Sequence, residues 1–294
     1  MKDRRRRVFW IVRKITDWLI REHPERNLPR SDIARLGYEA RPGDVVLVEG
    51  TSRVSDVIKL ITQSNWTHSA LYIGRLYDIE DPELRDMVTQ HYDGDPEDQL
   101  LLEALLGSGT IIVPLTKYKK FHLRLCRPNG LAPKDASAVI AHAVRQLGKD
   151  YDIRHLLDLA RFLYPWTIMP RRWRSSLFEA SADDTTRTVC SCLIAEAFHK
   201  VQFPILPFVG RDEHGELRLV KRNPRLYTPK DFDYSPYFDI IKYPYLGTQD
   251  IGLYKYLPWN QDDVYFNDDA KQLKAILAES ANVQPVADVR HKEQ

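Results

Sequence analysis

Cysteine is scarce in this sequence: there are three in 294 residues, and two of them, Cys190 and Cys192, stand one residue apart. That spacing is too close for a relaxed disulfide, so no disulfide framework is available and a reducing compartment is expected. Long apolar runs are missing as well. The opening MKDRRRRVFWIVRK has a basic start, but its apolar stretch from Val8 ends at Arg13, too short for a signal peptide or a membrane span. No other run is longer, so the protein is expected in the cytoplasm or on the cytoplasmic face of a membrane. An excess of one charge is lacking too: the net charge is +2, which excludes a global pull toward nucleic acid. No internal repeat occurs, and the lack of a recognisable wall-binding repeat and of an export signal argues against mature peptidoglycan in the periplasm as a substrate.

What is present reads as an ordinary globular chain, 43% apolar and 29% charged, long enough for one large domain with appendages. In the N-terminal stretch Val8, Ile11, Val12, Ile15, Trp18 and Leu19 recur at helical spacing, opposite Arg7, Lys14, Asp17 and Arg21. Such a helix either docks on the core or lies on an anionic membrane surface, with Arg4 to Arg7 directly before it. A loop with Pro24, Pro29 and Pro42 follows. Buried strands are expected at 45–48, 68–74, 100–105, 110–113 and 121–126, with GSG turning the chain between the third and fourth. Helices are expected at 55–62, 133–147, 153–163, 190–201 and 269–279. Residues 203–260, rich in Pro, Tyr and Phe, read as ordered loop, and the polar C-terminal tail as disordered. Strands first and helices after them indicate an α+β fold with an antiparallel sheet. The expected division is a helical extension (1–40), a catalytic domain (41–245) and a C-terminal helix with its tail (246–294).

TVCSCLIAEAF raises the question of chemistry. On a helix, Cys190 shares a face with Leu193, Ile194 and Ala197, the side that packs on the sheet. Cys192 shares the wetter side with Glu196 and His199. A cysteine in a first helical turn meets unpaired N–H groups and the helix dipole, both of which favour a thiolate. It is also a small apolar residue suited to a core. No metal is expected, because C-x-C supplies two ligands and no second pair or H-x₃-H spacing accompanies it. No cofactor is indicated. A nucleophile needs a base from another element. His68 opens a strand after SNWT, where a histidine is either such a base or structural. Glu103 lies within LLLEALLG, and is either a buried acid that demands a partner or an edge residue facing solvent.

The order of these pieces resembles a known family. GDVVLVEG, then SNWTHSALYIG, an acid in LLEALLGSGTIIVPL, GKDYD and CSCLI together resemble a permuted branch of the NlpC-type papain-like superfamily. The similarity is to the YiiX/YebB-like (lipo-like) cysteine hydrolases, in which the histidine strand precedes the cysteine helix. It spans about residues 42–245, and TPKDF (228–232) resembles the family's closing stretch. The resemblance implies a circularly permuted papain-like fold, with Cys190 as nucleophile, His68 as base and Glu103 as the group that orients it. It places Trp66, Ser69, Tyr72, Tyr151, Asp152 and Ser191 around the substrate. The N-terminal helix, the insertion between His68 and Glu103 and the segment between Tyr151 and Cys190 exceed the compact family pattern.

The function expected is a thiol hydrolase that cleaves an amide or ester, in a peptide or an acyl-lipid, through an acyl-enzyme on Cys190. One alternative is an acyltransferase of the lecithin:retinol acyltransferase-like type, which shares the H-x-x-x-Y-x-G strand matched by His68, Tyr72 and Gly74. The N-C-x-H-F cysteine motif of that type is absent here. A second alternative is a non-catalytic binding module at a membrane surface.

Overall fold

The computed structural model describes residues 31–105, 108–149, 190–211 and 214–242, all within one unit of the chain. The helices expected at 8–21, 153–163 and 269–279, and the C-terminal tail, lie outside them. In chain order the elements are α1 (Ile33–Glu39), β1 (Val45–Glu49), α2 (Arg53–Thr62), β2 (His68–Gly74), α3 (Pro82–His91), β3 (Leu100–Leu105) and β4 (Gly109–Pro114). They continue with β5 (His122–Pro128), α4 (Pro133–Val144), α5 (Cys190–Lys200), β6 (Phe208–Arg211), β7 (Leu217–Val220), α6 (Pro229–Tyr234) and β8 (Phe238–Ile241).

Six strands form one antiparallel sheet in the order β4-β3-β2-β1-β5-β8. β1 sits near the middle, and its run VVLV is buried along its length. Both faces of the sheet are therefore covered. Val45, Leu47, Leu71, Ile73, Leu100 and Leu102 point into a core shared with α4 and α5. Val46, Val48, Ala70, Tyr72 and Leu101 point the other way, into a thinner layer closed by Leu36 of α1 and by Leu115 and Tyr118 of a 3₁₀ turn (Leu115–Tyr118). The alternation along each strand thus feeds two separate apolar clusters.

Two glycines are dictated locally. Gly109, at φ 72°, takes a left-handed conformation where the chain enters β4. At Gly50 a Cβ would meet Ser55 Oγ at 2.2 Å and Thr67 Oγ1 at 2.7 Å, so a larger residue there would have to displace the hydroxyls of Ser55 and Thr67. Ser52 caps α2, its hydroxyl accepting from the Ser55 N–H at 3.2 Å.

Residues 203–242 depart from the loop expected of them. They hold the exposed ribbon β6–β7, the short helix α6 and β8, which pairs with β5 at the sheet edge, Cys126 opposite Ile240. α1 lies where a loop was expected, and α3 lies within the insertion. Ser31 is tied to the domain, its hydroxyl accepting from Leu123 N–H at 2.7 Å, so the packed unit starts before residue 41.

Candidate active site

Three elements meet at one end of the sheet. α5 begins at Cys190 and packs against α4 and β2. His68 is the first residue of β2, so it and Ser69 both reach the first turn of α5. The His68 ring hydrogen-bonds the Cys190 sulfur, and Ser69 hydrogen-bonds it through backbone and side chain. Ser69 Oγ also lies 3.3 Å from Ser191 Oγ, and both residues are fully buried. Leu71 pairs with Leu102; continuing that register sets Glu103 diagonally across from His68 on the same sheet face.

His68 Nε2 is 2.8 Å from Glu103 Oε2. The other ring nitrogen, Nδ1, is the one left for the thiol. Glu103 is only 1% exposed, which settles the alternative of a solvent-facing edge residue: β3 lies between β2 and β4. Its carboxylate has two further donors that the sequence did not single out. Lys117 Nζ donates to Oε1 at 2.6 Å and the Tyr118 hydroxyl donates to Oε2. Both come from the 3₁₀ turn after β4, in a lysine-rich string that reads as solvated loop; the tyrosine between the lysines is its one apolar signal.

The electrostatics follow from burial opposed by neighbours. Burial would raise the Cys190 thiol, but the His68 charge and hydrogen bonds from His68 and Ser69 lower it to about 7. Burial would lower His68, but the Cys190 thiolate and the Glu103 carboxylate raise it to about 10. Burial would raise Glu103, but His68 and Lys117 hold it at about 2. Cys190 and His68 therefore favour a thiolate–imidazolium pair at neutral pH. The other cysteines behave oppositely: burial pushes Cys126 and Cys192 up, well above an ordinary thiol. Cys192, expected on the wetter side of its helix, is buried because the turn Pro224–Leu226 packs over that side. Its thiol lies 3.5 Å from Glu196 Oε1.

The remaining expected residues distribute as follows. Trp66 is buried; its indole N–H donates to Asp233 Oδ2 at 3.2 Å, and the Arg124 guanidinium sits 4.8 Å from its ring centre. Arg124 of β5 in turn meets Asp233 at 2.5 Å, so the residue that follows the TPKDF segment is tied both to β5 and to Trp66, two residues before His68. Tyr72 is buried in the thinner core layer and hydrogen-bonds Gln99. Tyr151 and Asp152 lie outside the described residues. Among the described residues no group of three or more His, Cys, Asp or Glu is placed to hold a metal ion.

Residues 39–164 match the family described as permuted papain-like amidase enzyme, YaeF/YiiX, C92 family. The matched stretch holds His68 and Glu103 and ends before Cys190. Among solved structures, the metalloprotein yiiX from Escherichia coli O157:H7 is similar at 15% identity and a TM-score of 0.42, over 70% of this chain and 98% of that one. A comparison with curated proteins found no match. Residues 39–164 are thus similar to a family of permuted papain-like amidases, and in this chain the strand that carries His68 precedes the helix that carries Cys190, the order of a permuted papain-like arrangement.

Proposed function

We propose that Cys190, His68 and Glu103 form the catalytic triad of an amide- or ester-cleaving hydrolase. The observation that carries the reading is the His68 ring, held between the Cys190 thiol and a buried carboxylate. In the resting pair the sulfur is a thiolate and His68 holds the proton. The sulfur attacks the substrate carbonyl carbon, and the carbonyl oxygen takes the negative charge. The N–H of Cys190, at the first position of α5, is the donor proposed for that oxyanion, since first-turn N–H groups have no partner within their own helix. Collapse expels the amine or alcohol, which takes the proton from His68 and leaves a thioester. Water then adds with its proton passing to His68, and the carboxylic acid departs as the thiolate is restored. Glu103 keeps the His68 ring in place throughout and stabilises it whenever it carries the proton.

The substrate proposed is a peptide or an acyl-lipid, and the location cytoplasmic and peripheral on the inner membrane face. The basis for the membrane is Arg4 to Arg7 followed by Val8, Phe9, Trp10, Ile11 and Val12. Replacing Arg4 to Arg7 by Gln in the full chain should reduce sedimentation with anionic vesicles at low salt; unchanged sedimentation removes the membrane reading.

The triad is tested by alkylation. Iodoacetamide near neutral pH should label Cys190 ahead of Cys126 and Cys192, and His68→Ala should slow that labelling. Equal labelling of all three in the folded protein overturns the assignment. A mass adduct trapped on Cys190 from cell extract then identifies the acyl group.

A further inference from the structure

Glu103 is backed by two further donors. The turn Leu115–Tyr118 folds back under β3 with two buried anchors, Leu115 and Tyr118. The Leu115 N–H donates to the Gln99 carbonyl at 2.7 Å, which fixes the turn to the residue preceding β3. From that turn two consecutive side chains reach one carboxylate. Tyr118 joins His68 at Oε2, while Lys117 takes Oε1 alone. Tyr118 is neutral and buried; Lys117 is charged, with its side chain 36% exposed.

The charges alternate along a line: thiolate at Cys190, imidazolium at His68, carboxylate at Glu103, ammonium at Lys117. Cys190 and Glu103 are buried, and the His68 side chain is 15% exposed. A buried site that holds thiolate, imidazolium and carboxylate alone carries a net negative charge, and the cheapest relief is a proton on one of its acids. Lys117 brings the line to neutrality from its open end. We infer that Lys117 and Tyr118 are positioning residues of the triad, with Lys117 supplying the charge that keeps Cys190 ionised and Tyr118 fixing the plane of Glu103.

This inference rests on the triad reading given above. Other titratable groups packed around the line are Cys192 with Glu196 on α5, Arg225 on the neighbouring turn and Tyr72 on β2. All of them stay in place in the variants below.

The test measures the rate of Cys190 alkylation by iodoacetamide against pH, in the full chain. Its midpoint reports thiolate formation and is independent of any substrate. In the wild type the midpoint is expected at about 7. Lys117→Gln keeps a donor facing Glu103 but removes the charge, and the midpoint should rise by about half a pH unit, the effect of a partly screened charge one group removed. Lys117→Arg should bring it back. Tyr118→Phe removes a hydrogen bond and no charge, so the midpoint should stay while turnover of an activated ester falls about tenfold. A Lys117→Gln midpoint equal to wild type overturns the role of Lys117. Unchanged turnover in Tyr118→Phe overturns that of Tyr118. His68→Ala separates this inference from its premise. If that variant moves the midpoint toward the 9.0 of an ordinary thiol while Lys117→Gln does not, the triad stands and Lys117 is incidental. If His68→Ala leaves the midpoint near 7, the triad reading itself fails.

Discussion

Glu103 accepts from three donors and offers none in return, which is the role of an ionised carboxylate. His68, Lys117 and Tyr118 all point N–H or O–H groups at its two oxygens. An amide at this position has one oxygen and one NH₂, and the NH₂ must face a donor. Glu103→Gln should therefore lower turnover on the order of 10²–10⁴-fold, since the imidazolium loses its counter-charge and its preferred orientation. The same substitution leaves a buried donor unsatisfied and should cost about 1–3 kcal/mol of stability. Urea unfolding and steady-state kinetics on one preparation check both. Activity within a factor of a few of wild type would show that Glu103 is only structural. At this scale each residue alone left two readings open: the cysteine fitted a core, the histidine a structural place and the acid an exposed edge, and the order of the motifs was what brought the three together. Lys117 and Tyr118 were not legible, because their partner is 14 and 15 residues away and nothing local to the turn demands a buried carboxylate.

The catalytic helix is held from its far end. Phe198 is fully buried on α5, and its ring lies 5.3 Å from that of Phe203 and 5.4 Å from that of Phe238 on β8. Phe232 of α6 closes the same cluster against Phe238 at 5.6 Å. These aromatic contacts, with the burial they entail, attach α5 to the edge of the sheet two turns from Cys190. Phe198→Ala should destabilise the fold by about 3–5 kcal/mol, the cost of an emptied aromatic site in a packed core. A shift in the urea midpoint measures it, and a loss below about 1 kcal/mol would mean that the cluster is loosely packed. β8 itself was missed in the sequence for a physical reason. FDII is four residues long, and as an edge strand it exposes Asp239 and Ile240, so no alternation develops. β1 and β2 were readable because both of their faces are buried, and runs such as VVLV have few other solutions. α1 escaped because its glycine at 37 and single buried leucine give no periodic stripe. α3 escaped because it lies in an acidic, proline-bearing insertion.

Among the described residues the molecule carries a bias toward acid unfolding that comes from two carboxylates of its main sheet, Glu49 on β1 and Glu103 on β3. Glu49 is partly buried beside His122, which hydrogen-bonds it at 3.0 Å, and Lys59, which meets it at 2.9 Å; His122 first, then Lys59, hold it against burial at about 2. Glu103 is held at about 2 as well. Unfolded, both carboxylates take up protons near 4.5. Their contribution to stability is therefore complete above that value and is lost as pH falls from 4.5 toward 2. Asp44 works in the opposite sense. Burial raises it despite Arg127, whose guanidinium lies 2.9 Å away, so in acid it gains its proton more readily folded than unfolded. Two lowered carboxylates outweigh one raised one, and the net slope favours unfolding in acid. The urea midpoint should accordingly fall between about pH 6 and about pH 3, and Glu49→Gln should flatten the decline without touching the triad. A midpoint constant over that interval would show that Glu49 and Glu103 gain nothing from the fold. It would place the weight of the structure on its two apolar layers alone.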